Sequence, residues 1–485
     1  MLNVLDSASN LRAALLRRDF SARDLLAATL AVIERLNPAL NALVQIDAAS
    51  AWSAAEDSDL RISRGDARPL EGLPVTIKDC FEVAGMVTSV GAPALRNYIP
   101  KEDASAVARL RRAGAIILGK TNVPLLTGDF QTANSLYGTT NNPWNRDFSP
   151  GGSSGGAAAA IATGMSALEL GSDLAGSIRW PAHCCGVYGL RTTWNIVATY
   201  GHIPPMPDMR LDRNPELLAA GPLARSAADL DLALDVLAGP RDPLMQAAPL
   251  PRARAASPNG LRVALWLDEP LAPVDASVRD AVLKAAHGLE KAGAIIEPTA
   301  RPAFSFEEAW EISAVLVHAL IGAGLPETIR ERLAAREQDF LAGDLSHRAL
   351  QARGMRMASP DFIDIQARRQ SLLANWARFF ERYDVVLCPP APSGAIKHDQ
   401  RPDPHARSID VNGIERPYFD LMLWACLATG AGLPAVVAPV TLGGDGLPRG
   451  VQILAASRED HTAIACAAML ERLGLGFKAP PIASP

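Results

Sequence analysis

The stretch "AVARLRRAGAIILGKTNVP", Ala106 to Pro124, decides how the chain folds. Within it, Gly114 to Thr121, "GAIILGKT", satisfies the phosphate-loop pattern G-x-x-x-x-G-K-T. A phosphate loop follows a strand, turns around an anion and leads into a helix. Here a helical pattern comes first, the middle residues are strand-like Ala-Ile-Ile-Leu, and Pro124 follows soon after. The chain carries its own control. Residues 289–296, "LEKAGAII", repeat the form of residues 110–117, "LRRAGAII", with no GKT behind them. Both copies predict helix, glycine cap, strand. No nucleotide site is expected at Lys120.

The alternation extends in both directions. "LPVTIK", "RVALWLD" and "DVVLCPP" read as buried strands beside helical segments. This predicts an α/β fold, a large mixed, mostly parallel β-sheet sandwiched by helices. "AVVAPVTL" and "GVQILAAS" flank "GGDGLPR" and predict an antiparallel hairpin on the same sheet. Leu421 to Gly444 is uncharged and long enough to cross a bilayer, but "TGAGLP" divides it into a short helix and a strand. The first 64 residues look helical. There "SARDLLAATLAVIERLNP" predicts a helix capped by Ser21, with Asp24 at N3, stopping before Pro38. "RSAADLDLALDVLAGP" predicts another, from Ser226 to Gly239-Pro240. Residues 248–260 read as an exposed connection and the tail "APPIASP" as loose. Helical residues between about 303 and 382 suggest an inserted lobe over a pocket.

The chain has 485 residues, 48% of them hydrophobic and 20% charged, with a net charge of −5 and no Lys/Arg run. This suits a globular protein and argues against a nucleic-acid or anionic-membrane partner. The N-terminus lacks a signal-peptide pattern. Cys80, Cys184, Cys185, Cys388, Cys426 and Cys466 are scattered without zinc spacing, which predicts reduced thiols, a cytoplasmic location and no metal site.

Three stretches carry chemistry-bearing residues. In "LPVTIKDCFEVAG", Leu73 to Gly85, alternation puts Val75 and Ile77 on one strand face and Thr76 and Lys78 on the other. Lys78 either reaches water through its stem or is held dry so that its amine can lose a proton. "FSPGGSSGGAAAAIATG", Phe148 to Gly164, reads as a flexible turn opening a helix near Ala157. A nucleophile elbow at Ser153 or Ser154 needs a hydrophobic strand in front, and "NNPWNRDFSP" is not one. In "ELGSDLAGSIRWPAHCCGVYGLR", Glu169 to Arg191, small residues surround Ser177 and let backbone N–H groups converge, as an oxyanion hole requires; taken alone, Ser177 reads sooner as a turn serine.

Together, "GLPVTIKD", "GKTNVP", "YGTTNNPWN", "PGGSSGGAAAA" and "GSDLAGSIRWPAHCCGVYGLR" resemble the core blocks of the amidase signature family, and "GLPAVVAPV" with "GLPRGVQIL" its C-terminal block. The likeness spans roughly residues 5 to 475. It implies one amidase domain over residues 1–485. That domain comprises an N-terminal helical segment (1–65), a catalytic core (66–240), a helical insertion lobe (241–385) and a C-terminal part of the core sheet (386–475). The family's Ser-cis-Ser-Lys triad maps onto Ser177 as nucleophile, Ser153 as cis serine and Lys78 as base. Leu174, Ala175, Gly176 and Ser177 would form the oxyanion hole. No cofactor is implied. The partner is a small-molecule amide, and a homodimer is left open. The alternative is an acyl-transfer subunit that acts only with a partner chain. Against that stands Trp180, where such subunits commonly carry glutamine. The chain also departs from the family at Ala175, which replaces the first of two glycines, and in "GLRTTWN", Leu190 to Asn195.

Arg179 is expected to pair with Asp173, Asp79 to orient backbone near Lys78, and Cys80, Cys184 and Cys185 to act as small fillers. Phe130, Trp180 and His183 are candidates for the acyl pocket.

Overall fold

The two "AGAII" copies fold as their pattern predicts. Helix Ser105–Arg112 runs into strand Ile116–Thr121 with Gly114 at φ +93°, and helix Ala276–Lys291 into Ile295–Glu297 with Gly293 at φ +101°. Positive φ at both glycines is the left-handed cap that turns a helix toward the sheet. The structure is a computed structural model that describes residues 2–209, 214–242 and 248–483.

Among these residues, eleven strands form one mixed sheet between helices. In chain order they are β1 (Leu43–Ile46), β2 (Pro74–Lys78), β3 (Ile116–Thr121), β4 (Leu168–Asp173), β5 (Tyr188–Arg191), β6 (Ala219–Ala224), β7 (Arg262–Leu265), β8 (Ile295–Glu297), β9 (Val385–Cys388), β10 (Ala435–Leu442) and β11 (Pro448–Leu454). Their spatial order is β1-β3-β2-β4-β6-β5-β10-β11-β9-β7-β8. Parallel pairing falls in two blocks, β3-β2-β4 and β9-β7-β8. The strands between them pair antiparallel, including the expected hairpin β10–β11. The uncharged stretch near residue 430 is the short helix Cys426–Thr429 followed by β10. No helix among the described residues is long and apolar enough to cross a membrane.

Local sequence explains most boundaries. Helix Ala22–Leu40 has the predicted capping box between Ser21 and Asp24, but it runs past Pro38. Proline removes one N–H near the helix end, and past that end Asn37 Oδ1 accepts from Ala42 and Leu43 N–H at 2.9 Å each. The N-terminal segment is not all helix, because β1 pairs antiparallel with β3 at the sheet edge. Ser226 caps helix Ala227–Leu237, and the Asp229 carboxylate accepts from Ser9 N and Oγ, tying down helix Ala8–Arg17. Residues 248–260 are the expected exposed connection, outside any helix or strand. The tail is packed up to Ala483, which is 5% exposed, rather than loose; Ser484 and Pro485 lie outside the described residues. Residues 303–382 are largely helical: Phe306–Ala323, Glu327–Ala334, His347–Arg356 and Ser359–Arg382.

β2 and β4 are parallel neighbours, with Val75 opposite Leu168 and Ile77 opposite Leu170. Their C-terminal ends therefore open side by side, where α/β sheets commonly place their ligands. Lys78 ends β2 and Asp173 ends β4.

Candidate active site

Lys78 does not reach water. Every residue of β2 is buried and Lys78 is 0% exposed. Its Nζ lies 2.7 Å from Ser153 Oγ and 3.1 Å from both the carbonyl and the hydroxyl oxygen of Ser172. Burial pushes the amine down to about 8, against the pull of Cys80, Asp173 and Glu169.

Two further buried pairs frame this lysine. Asp79 accepts from Ser89 N, Ser89 Oγ and Val90 N, and meets Lys120 Nζ at 2.9 Å. Glu169, on β4, accepts hydrogen bonds from Thr76 Oγ1 and, at 2.8 Å, from Thr121 Oγ1. Burial pushes its carboxyl up to about 8. The "GKT" of the phosphate-loop lookalike thus anchors two buried carboxyl groups beside Lys78.

The serine-glycine loop is packed inside the protein rather than lying open as a surface turn. Ser149 to Thr163 are all buried, and the Gly152–Ser153 peptide is cis. Its glycines serve close approach. A Cβ on Gly152 would sit 2.5 Å from Asp129 O and 2.8 Å from Gln131 N; one on Gly156 would sit 2.5 Å from Asn122 N. The Thr132 hydroxyl donates to Gly151 O and accepts from Gly155 N–H, fixing the loop from outside.

Ser177 lies in the turn after β4 and is half-buried. Its carbonyl accepts from Ser154 N–H at 3.1 Å, joining the turn to the serine loop. The Asp173 carboxylate holds the turn from below, accepting from Gly176 N at 2.9 Å and Ile178 N at 3.1 Å. Asp173 pairs with Arg179 at 2.9 Å, both fully buried, as expected, and with Arg191 at 3.5 Å. These two guanidinium groups hold its carboxyl far below the usual carboxylate range. Because the Gly176 N–H is committed to Asp173, only Leu174, Ala175 and Ser177 of the four expected donors remain for an oxyanion.

The expected pocket residues are all buried, Phe130 at 6% exposure. The Phe130 backbone lies against Gly152, and its ring meets Tyr418 and Phe419 edge-on. Trp180 and His183 belong to the interior as well. Each is 1% exposed; Trp180 Nε1 donates to Phe130 O, and His183 contacts Ser393 O and accepts from Gly450 N–H. Both lie on helix Arg179–Cys185, and its seven residues are all buried. Cys80, Cys184 and Cys185 are buried free thiols with pKa values raised by burial. A cavity of about 1540 Å³ does border the helices of residues 306–363, but it is lined by Trp194, Tyr200, Leu316, Met355 and Phe362 among others, and by none of Lys78, Ser153 and Ser177.

Sequence reasoning missed Ser172, Glu169, Lys120 and His202. His202 is 5% exposed, with Nε2 2.9 Å from Ser172 Oγ. It lies more than a hundred residues from Lys78, and no local pattern links the two.

An α/β sheet that carries a buried lysine against a serine of a glycine-packed loop is also the setting in which comparison with known proteins places the chain. The family model described as Amidase matches residues 24–464, and the chain belongs to the amidase signature family. It is 34% identical to an indoleacetamide hydrolase of Bradyrhizobium diazoefficiens over 97% of this chain and 87% of that protein. It is 32% identical to a glutamyl-tRNA(Gln) amidotransferase subunit from a Roseiflexus species over 94% of this chain and 93% of that one. A crystal structure of a bacterial aryl acylamidase of the amidase signature family superposes with a TM-score of 0.82 at 26% identity, covering 99% of each chain.

Proposed function

We propose that the chain is a serine amidase that hydrolyses a carboxamide through an acyl-enzyme on Ser177, and by the same chemistry an ester or carbamate. The observation that carries this reading is the 2.7 Å bond between the fully buried Lys78 amine and Ser153 Oγ. An ammonium is disfavoured in so dry a place, which readies the amine to accept a proton.

In this mechanism the Ser177 hydroxyl passes its proton to Ser153, which passes its own to Lys78. Ser177 Oγ attacks the carbonyl carbon. The oxyanion is held by the N–H groups of Leu174, Ala175 and Ser177; each such donor is worth about 2.7–4 kcal/mol. The proton returns through Ser153 to the leaving nitrogen, the C–N bond breaks, and water hydrolyses the ester by the same relay. The mechanism uses no cofactor or metal. We place the enzyme in the cytoplasm, in keeping with six free cysteines. Kinship with amidotransferase subunits supports a second reading, in which the chain acts with a partner protein.

A hydrolysis screen tests the two: the purified chain against indole-3-acetamide, acetanilide, an aliphatic amide, an ester and a carbamate, beside Ser177→Ala. Turnover of an amide by wild type alone supports the amidase. Equal rates in both proteins would end the assignment of Ser177, and no turnover without an added partner would favour the second reading.

A further inference from the structure

We propose that His202 is a positioning residue for the base: it fixes the direction of the Ser172 hydroxyl and so leaves the Lys78 lone pair aimed at Ser153. This rests on the serine amidase reading above.

The argument follows hydrogens around three side chains. His202 Nδ1 lies 2.9 Å from Pro204 O, and a carbonyl only accepts, so Nδ1 carries the hydrogen. Burial keeps the imidazole neutral, its pKa pushed down to about 3. Nε2 is then a bare acceptor 2.9 Å from Ser172 Oγ, which must donate to it. With its hydrogen committed, Ser172 Oγ offers Lys78 only lone pairs, and the Ser172 carbonyl offers the same; both lie 3.1 Å from Nζ. A neutral amine has two hydrogens and one lone pair. The hydrogens go to Ser172, and the lone pair faces Ser153 Oγ at 2.7 Å.

Without an acceptor at residue 202, the Ser172 hydroxyl would turn and donate to the amine, competing with Ser153. Cys80 Sγ, 3.5 Å from Ser172 Oγ, is a weak substitute. The ionisable groups that act on Lys78 are Cys80, Asp173 and Glu169, and none of them contacts His202 Nε2. The imidazole is itself held firmly. Phe81 meets it edge-on at 5.0 Å, Ile203 N–H donates to Cys80 O at 2.7 Å, and Glu82 N–H donates to Gly201 O at 2.9 Å.

The test needs no knowledge of the substrate. A fluorophosphonate labels an activated serine, and intact mass reads its rate from about pH 6 to about pH 10. His202→Phe is expected to label at least about tenfold more slowly at its plateau. Its midpoint should move to lower pH, because a hydroxyl donating to the neutral amine favours the uncharged form. His202→Gln offers Ser172 a carbonyl and should keep the wild-type midpoint, with a rate within about threefold. In a Ser172→Ala background, His202→Phe should slow labelling no further. If His202→Phe fails to fold by circular dichroism, His202→Asn, too short to reach Ser172, takes its place.

Equal slowing in the Phe and Gln variants with an unmoved midpoint would overturn the inference, as would an additive loss in the Ser172→Ala background. Failure of the broader reading looks different. If Ser177→Ala labels like wild type, or neither labels, the serine amidase falls and the role of His202 falls with it.

Discussion

Lys120 Nζ lies 2.9 Å from Asp79 Oδ1, and neither side chain is more than 1% exposed. The lysine of a perfect phosphate-loop string is thus the counter-ion of the residue beside the proposed base. Losing one member of a buried pair leaves a charge uncompensated in a dry interior. Lys120→Ala is expected to destabilise the fold by about 3–5 kcal/mol, read by chemical denaturation. ATP added to wild type should leave the unfolding temperature unchanged; a rise would restore the nucleotide reading.

The pH dependence of catalysis should follow Lys78. Its pKa of about 8 predicts that kcat/KM climbs with pH and levels above about 8. Lys78→Ala should lose most activity at neutral pH and regain part of it in alkali, where hydroxide replaces the base. A flat profile in both proteins would remove Lys78 from the mechanism.

The same group leaves a mark on stability. Lys78 is lowered from 10.5 to about 8 in the folded state, so between those values the unfolded chain binds more protons. The burden of a buried ammonium is present below about 8 and fades as pH rises toward 10.5. Relative to Lys78→Met, wild type should therefore gain stability across that window, measured by thermal unfolding at each pH.

Glu169 has the opposite sign. Its pKa is raised from 4.5 to about 8, so the folded state binds more protons between those values, and stability drains away as pH rises through them. Glu169→Gln keeps an amide for Thr76 and Thr121 and removes the titration. The variant should match wild type near pH 4.5 and exceed it above 8. Parallel stability curves for the two proteins would mean that Glu169 stays ionised.

Gly152→Ala tests why the loop needs glycine. The added carbon would lie 2.5 Å from Asp129 O, a backbone atom that cannot swing aside. Overpacking of this kind typically costs about 1–3 kcal/mol. The displaced Ser153 should also lose its contact with Lys78, so activity should fall far more than stability. A fully active Gly152→Ala would show that the close approach is unnecessary.

What the sequence determined by itself was local or periodic. The helix-glycine-strand units at Gly114 and Gly293, the capping box of Ser21 and Asp24, the β10–β11 hairpin and the segmentation near residue 430 all follow from spacing and turn chemistry within a few residues. The motif blocks also marked Lys78, Ser153 and Ser177 in one dimension. Tertiary structure decided the rest, because it depends on which distant atoms share a dry space. Alternation could not say that Lys78 would meet Ser153 rather than water, since that depends on the loop of Gly152 packing against residues 129–131. Nor could it say that Trp180 and His183 would be spent on interior hydrogen bonds, that Asp173 would claim the Gly176 N–H, or that His202 would reach Ser172. A hydrogen bond between residues far apart leaves no periodic trace in the chain; it exists only once the sheet has brought the ends of β2 and β4 together.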